Sequence, residues 1–343
     1  MTRVAEQPMK RNPDSTPRVS VVMAVYNGMP HLRKSIESVL TQTFQDFEFV
    51  IVDDASTDET PQVLTEYAET DSRIRVITNS ANLGVAASLA AGVETALGEY
   101  VARIDADDWY HPSRLEKMVT FLDEHPEVGV LGTSAWIVDG AGKTICRRDL
   151  LTTSPAIKAK LNSGNCMFYA VLMRKELAVQ VGNYRSAFRI AEDYDLWLRM
   201  SESSSLSILP GPLLFYRQSA ASVTVRQSDS VRKGFLRLAR ELASQRRRTG
   251  RDSYDEYVEN GLFPELDASA RGTPDKDHLK LAKYAMDSGF FSEALHQTWQ
   301  AFRASPLRVF PCFVLLVRLT AKRVLIWAGL FRWVKKVVYG RDE

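Results

Sequence analysis

Cysteine is scarce in this chain of 343 residues, which contains only three. Cys146, Cys166 and Cys312 have no metal-ligand spacing, and their odd number fits no framework of paired disulfides. The pattern predicts a reducing, cytosolic setting. Histidine is also sparse, and its dispersed positions offer no catalytic or metal-binding cluster. The histidines are His31, His111, His125, His278 and His296.

Several other sequence features are also missing, and each absence excludes a class of protein. The chain has no serine nucleophile elbow and no glycine-rich phosphate loop. A net charge of +2 argues against a dedicated nucleic-acid binder. Residues 1–17 are polar and lack the apolar stretch of a signal peptide, so we expect a disordered leader there. No window in the front or middle of the chain is apolar enough to span a bilayer.

Short apolar runs alternate with amphipathic stretches from Val19 onward. This alternation is typical of βαβ units and predicts an α/β fold with a mostly parallel, Rossmann-like sheet flanked by helices. Beyond it, the turn Asp139-Gly140 predicts antiparallel strands. The predicted strands are 19–25, 47–52, 74–77, 100–104 and 128–138, and the predicted helices are 31–40, 60–67, 85–97, 114–124, 176–181 and 193–201.

Polar loops follow the first two strands. The segment Tyr26-Asn27-Gly28 would let a planar base stack close to the backbone, although taken alone it is better explained as a simple strand-to-helix turn. In the second loop, Asp53-Asp54 directly follows buried Ile51-Val52. A cap on the next helix accounts for Ser56 or Asp58 but not for two adjacent acids. Asp54 is therefore a candidate to accept a hydrogen bond from a base.

A cluster of acids, Asp105-Ala106-Asp107-Asp108, follows the strand that begins at Tyr100. Three carboxylates in four residues repel one another, and packing a core does not require them. A divalent cation that shares oxygen ligands with substrate phosphates would make the arrangement favourable. The alternative is a solvated acidic turn in which Asp108 caps the next helix.

Taken in series, these motifs resemble those of family 2 glycosyltransferases, over roughly residues 17–218. The resemblance implies a GT-A fold, a nucleotide-diphospho-sugar donor and inverting transfer with Mn²⁺ or Mg²⁺. The segments that carry it are Val19–Gly28, Ser35–Phe44, Val52–Asp58, Asn82-Leu83-Gly84, Gly98-Glu99-Tyr100 and Asp105–Asp108.

The same resemblance implies roles for individual residues on the donor side. Asp105 would lie near the ribose, and Asp107 would hold the metal, with Asp108 assisting. The remaining residues implied in nucleotide binding are Ala24, Tyr26, Asp54, Asn82 and Gly84.

A second acidic pair, Glu192-Asp193, opens a helix and resembles the family's Glu-Asp motif. The resemblance implies that Asp193 takes the proton of the acceptor hydroxyl, a step that suits general-base catalysis. Ordinary capping of the helix by acids is the alternative interpretation.

The chain beyond the resemblance is helical in pattern. We expect a glycosyltransferase domain at 18–218, a basic helix and linker at 219–277 and a helical hairpin at 278–306. The segment 307–343 is apolar but interrupted by Arg and Lys, which favours interfacial helices on an anionic membrane surface, through residues 307–340. A helix pair packed on the main domain is the alternative.

The combined expectation is a glycosyltransferase that uses a nucleotide-diphospho-sugar, with UDP as the most frequent donor type. Its acceptor would be a hydroxyl of a glycan or lipid-linked saccharide in cell-envelope or exopolysaccharide synthesis. Two alternatives stay open: transfer to a polyprenyl phosphate, and a non-catalytic nucleotide-sugar-binding scaffold. We expect the protein in the cytoplasm, peripheral on the inner face of the membrane.

Overall fold

The computed structural model describes residues 4–6, 16–218, 228–266, 274–288 and 290–305. The strands are β1 (Val4–Glu6), β2 (Val19–Val25), β3 (Phe47–Asp53), β4 (Ile74–Thr78), β5 (Tyr100–Arg103), β6 (Trp109–Tyr110), β7 (Val128–Val138), β8 (Thr144–Arg148), β9 (Leu172–Arg174) and β10 (Ser205–Arg217). The helices are α1 (Leu32–Leu40), α2 (Thr60–Thr70), α3 (Val85–Thr95), α4 (Arg114–Glu124), α5 (Ser154–Leu161), α6 (Lys175–Gln180), α7 (Glu192–Met200), α8 (Asp229–Thr249), α9 (Tyr254–Glu259), α10 (Pro274–Asp287) and α11 (Phe291–Ala304).

Four parallel strands, in the order β4-β3-β2-β5, form the part of the sheet that carries the predicted loops. Val19 lies opposite both Phe47 and Tyr100, so these strands are aligned and their carboxyl ends meet at one edge. All seven residues of β3 are buried. This is the expected behaviour of a parallel strand covered on both faces, and it explains its continuous apolar run.

Antiparallel strands extend the sheet on both sides. Strand β9 pairs with β5 and β7, β10 pairs with β6, and β1 pairs with β4. The sheet is therefore mixed, and the expectation of an α/β sheet flanked by helices with a C-terminal helical extension is confirmed. Strand β1 lies within the segment expected to be a disordered leader.

The Pro210-Gly211-Pro212 segment lies inside a strand, although proline and glycine are uncommon there. Strand β10 continues through it, and Gly211 adopts a φ of 91°, which a residue with a side chain rarely tolerates. Beyond this point Leu214 and Phe215 pair with β6. Prolines are accepted in a strand at such irregular positions because they need not donate to a neighbour there.

The described residues divide into two compact units. The first lies within Met1–Trp136, Arg148–Arg217 and Gln227–Ala270, and the second within Ile137–Arg147, Gln218–Arg226 and Arg271–Glu343. In the first, Phe263 packs edge-on against Phe188 at 5.2 Å and Tyr254 at 5.6 Å between ring centres. This aromatic cluster holds α9 on the core that also contains Phe235 of α8.

A buried ion network connects α7 to the end of α8. Arg199 donates to the fully buried carboxylate of Asp195 at 2.6 Å and 3.0 Å. Arg185 lies 3.7 Å from the other oxygen of Asp195 and 2.9 Å from Asp252, which Arg246 also contacts. The network therefore fixes the helix that begins at Glu192.

Replacing Asp195 by alanine is expected to destabilise the protein by about 3–5 kcal/mol, because it leaves Arg199 buried without its anion. Urea unfolding would measure the loss. The matched control is Glu202→Gln, which removes a partly exposed partner of Arg246 and should cost below about 1 kcal/mol. Equal losses in the two variants would contradict this account of the network.

The second unit contains the helix pair α10 and α11, close to the predicted hairpin. His278 and Gln297 face each other across the pair at 2.6 Å, and Ala285 and Ala301 are fully buried. Within the described ranges, no helix combines the length and apolar character needed to cross a bilayer. The predicted interfacial segment 307–343 lies outside the described residues.

Candidate active site

The first two predicted loops are joined by hydrogen bonds. The side-chain oxygen of Asn27 accepts from the backbone N–H of Thr57 at 2.8 Å, and the Gly28 N–H donates to Thr60 Oγ1 at 2.8 Å. A Cβ added at Gly28 would lie 3.5 Å from the Cβ of Ala106. The first loop therefore lies against the acid cluster, as expected from strand ends that share one edge.

Asp54 lies at this edge, and its carboxylate holds the loop that contains Asn82 and Gly84. Its two oxygens accept from Asn79 Nδ2 at 2.7 Å, the Leu83 N–H at 2.9 Å and the Gly84 N–H at 2.8 Å. The side chain is only 3% exposed. The structure therefore assigns Asp54 a supporting role for this loop, and a direct contact with a base stays a prediction.

Replacing Asp54 by alanine is expected to cost about 1–3 kcal/mol of stability, because two backbone N–H groups and an amide lose their acceptor. The loop at Leu83 and Gly84 should loosen, so nucleotide affinity should fall as well. Thermal unfolding and nucleotide titration measure the two effects. Asp255→Ala, the same change at an exposed position on α9, should alter neither.

The other residues predicted to bind the nucleotide surround this edge. Ala24 is half-buried near the end of β2, and Asn82 is exposed beyond β4. Tyr26 is 49% exposed, so its ring is accessible for stacking on a planar base.

The three acids of the cluster differ in environment. Asp108 is buried, and it accepts hydrogen bonds from the Tyr169 hydroxyl and from the Arg217 N–H. Burial, followed by the charge of Asp107, raises the pKa of Asp108 well above its usual value. Both of its oxygens are used inside the protein, so Asp108 anchors the loop to β10.

Asp107 is half-buried, and its carboxylate accepts no hydrogen bond from another side chain of the described chain. Its backbone carbonyl accepts from Arg217 Nε at 2.9 Å, which fixes the position of the residue. Burial, followed by the negative charge of Asp105, raises the pKa of Asp107 to about 6. Such a carboxylate would be stabilised by a cation.

Asp107 is better placed than Asp108 to bind a divalent cation because, among the described residues, only the Asp108 carboxylate is already bonded to other residues. Nowhere in the described ranges do three histidine, cysteine, aspartate or glutamate side chains converge as a complete metal site. Cations that act on diphosphates commonly take one or two protein carboxylates and complete their shell with phosphate oxygens and water. The residues therefore fit a cation held by Asp107 together with a diphosphate, and Asp108 as a ligand stays a prediction.

Arg103, at the end of β5, connects the cluster to the second acidic pair. Its guanidinium donates from Nε to Asp105 at 3.2 Å and lies with Nη2 2.9 Å from Glu192. It lies over the rings of Tyr169 at 4.6 Å and Tyr184 at 5.7 Å, and is 3% exposed. Burial alone would lower its pKa, but Asp105 and Glu192 outweigh this and raise it well above the usual value.

Asp193 occupies the first turn of α7, beside this ion pair. One carboxylate oxygen accepts from Asn165 Nδ2 at 2.9 Å and the other from the Tyr194 N–H at 2.7 Å. Burial, followed by the charge of Glu192, raises the pKa of Asp193 to about 7, while Arg103 acts in the opposite direction. An aspartate with this pKa can accept a proton near neutral pH.

The sequence profile of glycosyl transferase family 2 matches residues 20–182. EpsE of Bacillus subtilis (strain 168), which carries a provisional glycosyltransferase name, is 40% identical over 193 residues, which are 55% of this chain and 68% of EpsE. The chain belongs to glycosyl transferase family 2. The O-antigen biosynthesis protein RfbC of Myxococcus xanthus is 32% identical over 235 residues, 67% of this glycosyltransferase and 18% of RfbC.

Solved structures confirm the GT-A fold of this glycosyltransferase. TarS of S. aureus in complex with UDP-GlcNAc matches with a TM-score of 0.56 at 18% identity, over 85% of this chain and 82% of that one. The mannosyltransferase PcManGT from Pyrobaculum calidifontis, in complex with GDP-Man and Mn²⁺, matches with a TM-score of 0.52 at 17% identity, over 98% and 92%. Identities this low establish the fold alone.

Four residues of the glycosyltransferase site were missed by the sequence analysis: Arg103, Asn165, Tyr169 and Arg217. A signal existed for Arg103, since a charged residue within the buried run that begins at Tyr100 needs a partner. No comparable signal existed for the other three, because they lie far along the chain from the residues they contact.

Proposed function

We propose that this glycosyltransferase moves a sugar from a nucleotide-diphospho-sugar to a hydroxyl of a glycan or lipid-linked saccharide, with inversion at the anomeric carbon. The observation that carries the proposal is the position of Asp193 at a helix start, beside Glu192, which one arginine joins to the acid cluster at the sheet edge. Burial and the charge of Glu192 raise the pKa of Asp193 to about 7. A general base is most effective when its pKa is near the working pH. Asp193 meets that requirement.

The donor occupies the edge where the parallel strands end, which is where open α/β sheets bind their ligands. The exposed ring of Tyr26 stacks on the base, and the loop held by Asp54 closes over the nucleotide. Asp105 lies toward the ribose. A UDP-sugar is the first candidate, because TarS binds UDP-GlcNAc, while PcManGT with GDP-Man keeps GDP open.

Asp107 would hold Mn²⁺ or Mg²⁺ together with the diphosphate, and Asp108 fixes the loop in place. When bound, the cation neutralises the charge that develops on the departing nucleoside diphosphate. PcManGT in complex with Mn²⁺ supports the choice of metal.

The chain's own residues carry out the proton transfer. The acceptor hydroxyl gives its proton to the Asp193 carboxylate as its oxygen bonds to the anomeric carbon. The bond from that carbon to the diphosphate oxygen breaks at the same time, and the nucleoside diphosphate leaves with the electron pair. Asn165 and the Tyr194 N–H hold the carboxylate in orientation, so little reorganisation is needed.

Two alternatives fit the site less well. A polyprenyl phosphate acceptor is already anionic, so it would not need a base of neutral pKa such as Asp193. A non-catalytic scaffold would need neither the raised pKa of Asp193 nor an Asp107 carboxylate that accepts no hydrogen bond from another side chain of the described chain.

The name of RfbC, an O-antigen biosynthesis protein, supports a role in cell-envelope or extracellular polysaccharide synthesis. A lipid-linked acceptor would suit attachment to the inner face of the cytoplasmic membrane through residues 307–340. Cell fractionation of a chain shortened at Ser305 tests that attachment. Unchanged recovery with membranes would contradict it.

A thermal-shift screen of UDP-, GDP- and dTDP-sugars with and without Mn²⁺ tests the donor assignment. A ligand that binds only the folded state at 100 times its Kd stabilises it by about 2.7 kcal/mol. We expect one nucleotide class to raise the unfolding temperature more with Mn²⁺ than without, and to release nucleotide slowly. No shift and no release with any donor would contradict the proposal.

A further inference from the structure

Arg103 is the only residue in the described part of the site that bonds directly to acids of both halves. Its Nε group contacts Asp105, on the donor side, and Nη2 contacts Glu192, the neighbour of the base. The two rings of Tyr169 and Tyr184 enclose the guanidinium. This contact crosses from the end of β5 to the start of α7.

The side-chain chemistry at this position is specific to arginine. A guanidinium presents several N–H groups in a rigid planar fork, so it can hold two carboxylates in fixed directions, and it stacks on aromatic faces. Lysine has a single ammonium group on a flexible stem and cannot fix both acids equally. Since Glu192 has a side chain only 10% exposed, the guanidinium is the cation that compensates its carboxylate inside the protein.

The backbone conformation before Glu192 indicates that the fold sets the direction of the Glu192 side chain. Ala191 has a φ of 63°, in the left-handed region that residues with a side chain seldom adopt. This conformation starts α7 abruptly, so that Glu192 reaches Arg103 while the next residue, Asp193, bonds to Asn165. The two adjacent acids are thereby directed to different partners.

We propose that Arg103 is a positioning residue: it binds Glu192 to the donor-side Asp105 and so leaves Asp193 as the single group that accepts the acceptor's proton. The inference rests on the proposed function. Without Arg103, Glu192 and Asp193 would be two adjacent acids with no cation between them, and nothing would offset their repulsion.

The charges around Asp193 determine whether its pKa rises or falls when Arg103 is removed. Glu192 precedes it on α7, Arg103 faces it from β5, and the hydroxyl of Tyr184 and the amide of Asn165 complete its polar surroundings. Burial raises the pKa of Tyr184, so this group is neutral at working pH. Removing Arg103 therefore leaves Glu192 unopposed, and the pKa of Asp193 should rise.

The test compares four variants: R103Q, R103K, E192Q and R103Q/E192Q. The acidic limb of kcat/KM against pH should move up by about one unit in R103Q and move down in E192Q. The double variant should return close to the wild-type limb, because both charges are gone. R103K should restore the limb but not the full rate. The control R33Q, which removes an exposed arginine bonded to Glu66, should leave the limb unchanged.

A merely structural role would lower activity equally at all pH values and leave the limb in place. That result in R103Q, or no compensation in the double variant, would overturn the inference. If R103Q does not fold, E192Q provides the test. An acidic limb that does not move in E192Q would overturn the inference, because Arg103 would then not act on Asp193 through Glu192.

The same pKa can be followed without activity, from the carboxyl carbon of Asp193 in ¹³C-aspartate-labelled protein assigned with D193N. An unchanged pKa in R103Q overturns the inference about Arg103. The expected shift, in a protein that neither transfers sugar nor hydrolyses any donor, would support the role of Arg103 in positioning while contradicting the proposed reaction.

Discussion

Replacing Asp193 by asparagine is expected to lower kcat for transfer to a sugar hydroxyl by about 10²- to 10⁴-fold, the usual contribution of a general base. Asparagine keeps the shape of the side chain and can still face Asn165, but it cannot accept the proton. Donor KM should change little, because the donor is expected at the sheet edge near Asp54 and Asp107. Initial rates of nucleotide release with saturating acceptor measure the effect.

The same substitution, which lowers activity, should raise the stability of the protein at high pH. The direction of this change follows from the pKa of Asp193. The folded-state pKa of Asp193, about 7, lies above the ordinary value of 3.8. The stability contributed by this group is therefore complete below about pH 4 and is lost as the pH rises through 7. Asparagine does not ionise, so D193N should unfold at a higher temperature than the wild type at pH 8, with a smaller gap at pH 5.

The control for both effects is Glu124→Gln, which removes an exposed carboxylate on α4. It should leave rate and pH dependence unchanged. Near-wild-type transfer by D193N would contradict the role of Asp193 as the base and would favour an anionic acceptor such as a polyprenyl phosphate. A stability gap that does not widen with pH would contradict the raised pKa.

Replacing Asp107 by alanine should remove metal-dependent transfer. Charge stabilisation by a bound metal contributes several kcal/mol, so a loss of about 10³-fold or more is expected. Folding should be little affected, because the Asp107 carboxylate bonds to no other side chain in the described chain. Titration with Mn²⁺, read as transfer rate and as unfolding temperature with nucleotide present, measures the loss.

Replacing the neighbouring Asp108 should have a different effect from replacing Asp107. Asp108→Ala should destabilise the protein, because it removes the acceptor of the Tyr169 hydroxyl and of the Arg217 N–H. If D107A keeps full stimulation by Mn²⁺ while a folded D108A variant loses it, the metal assignment within the cluster would be wrong.

The sequence was sufficient to place Asp54 and Asp107 because each lies just beyond a strand of the parallel sheet. The carboxyl ends of such strands meet, so Asp54 and Asp107 had to lie along one edge. Boundaries of elements with strong apolar patterns, such as β2 and β7, also agreed with the structure. Local pattern and sheet topology determine these features together.

The contacts of the acids could not be predicted in the same way. The partners of Asp54 come from the loop after β4, and those of Asp108 come from residues 169 and 217. The bridge from Arg103 to Glu192 exists only after α7 packs on the sheet.

The central claim, inverting transfer assisted by Asp193, is tested most directly by the stereochemistry of the product. With an α-linked nucleotide-sugar, Mn²⁺ and water or a sugar as acceptor, proton NMR at early times reports the anomer formed first. The account predicts a β product, formed by the wild type and not by D193N. An α product would contradict direct displacement with Asp193 as the base.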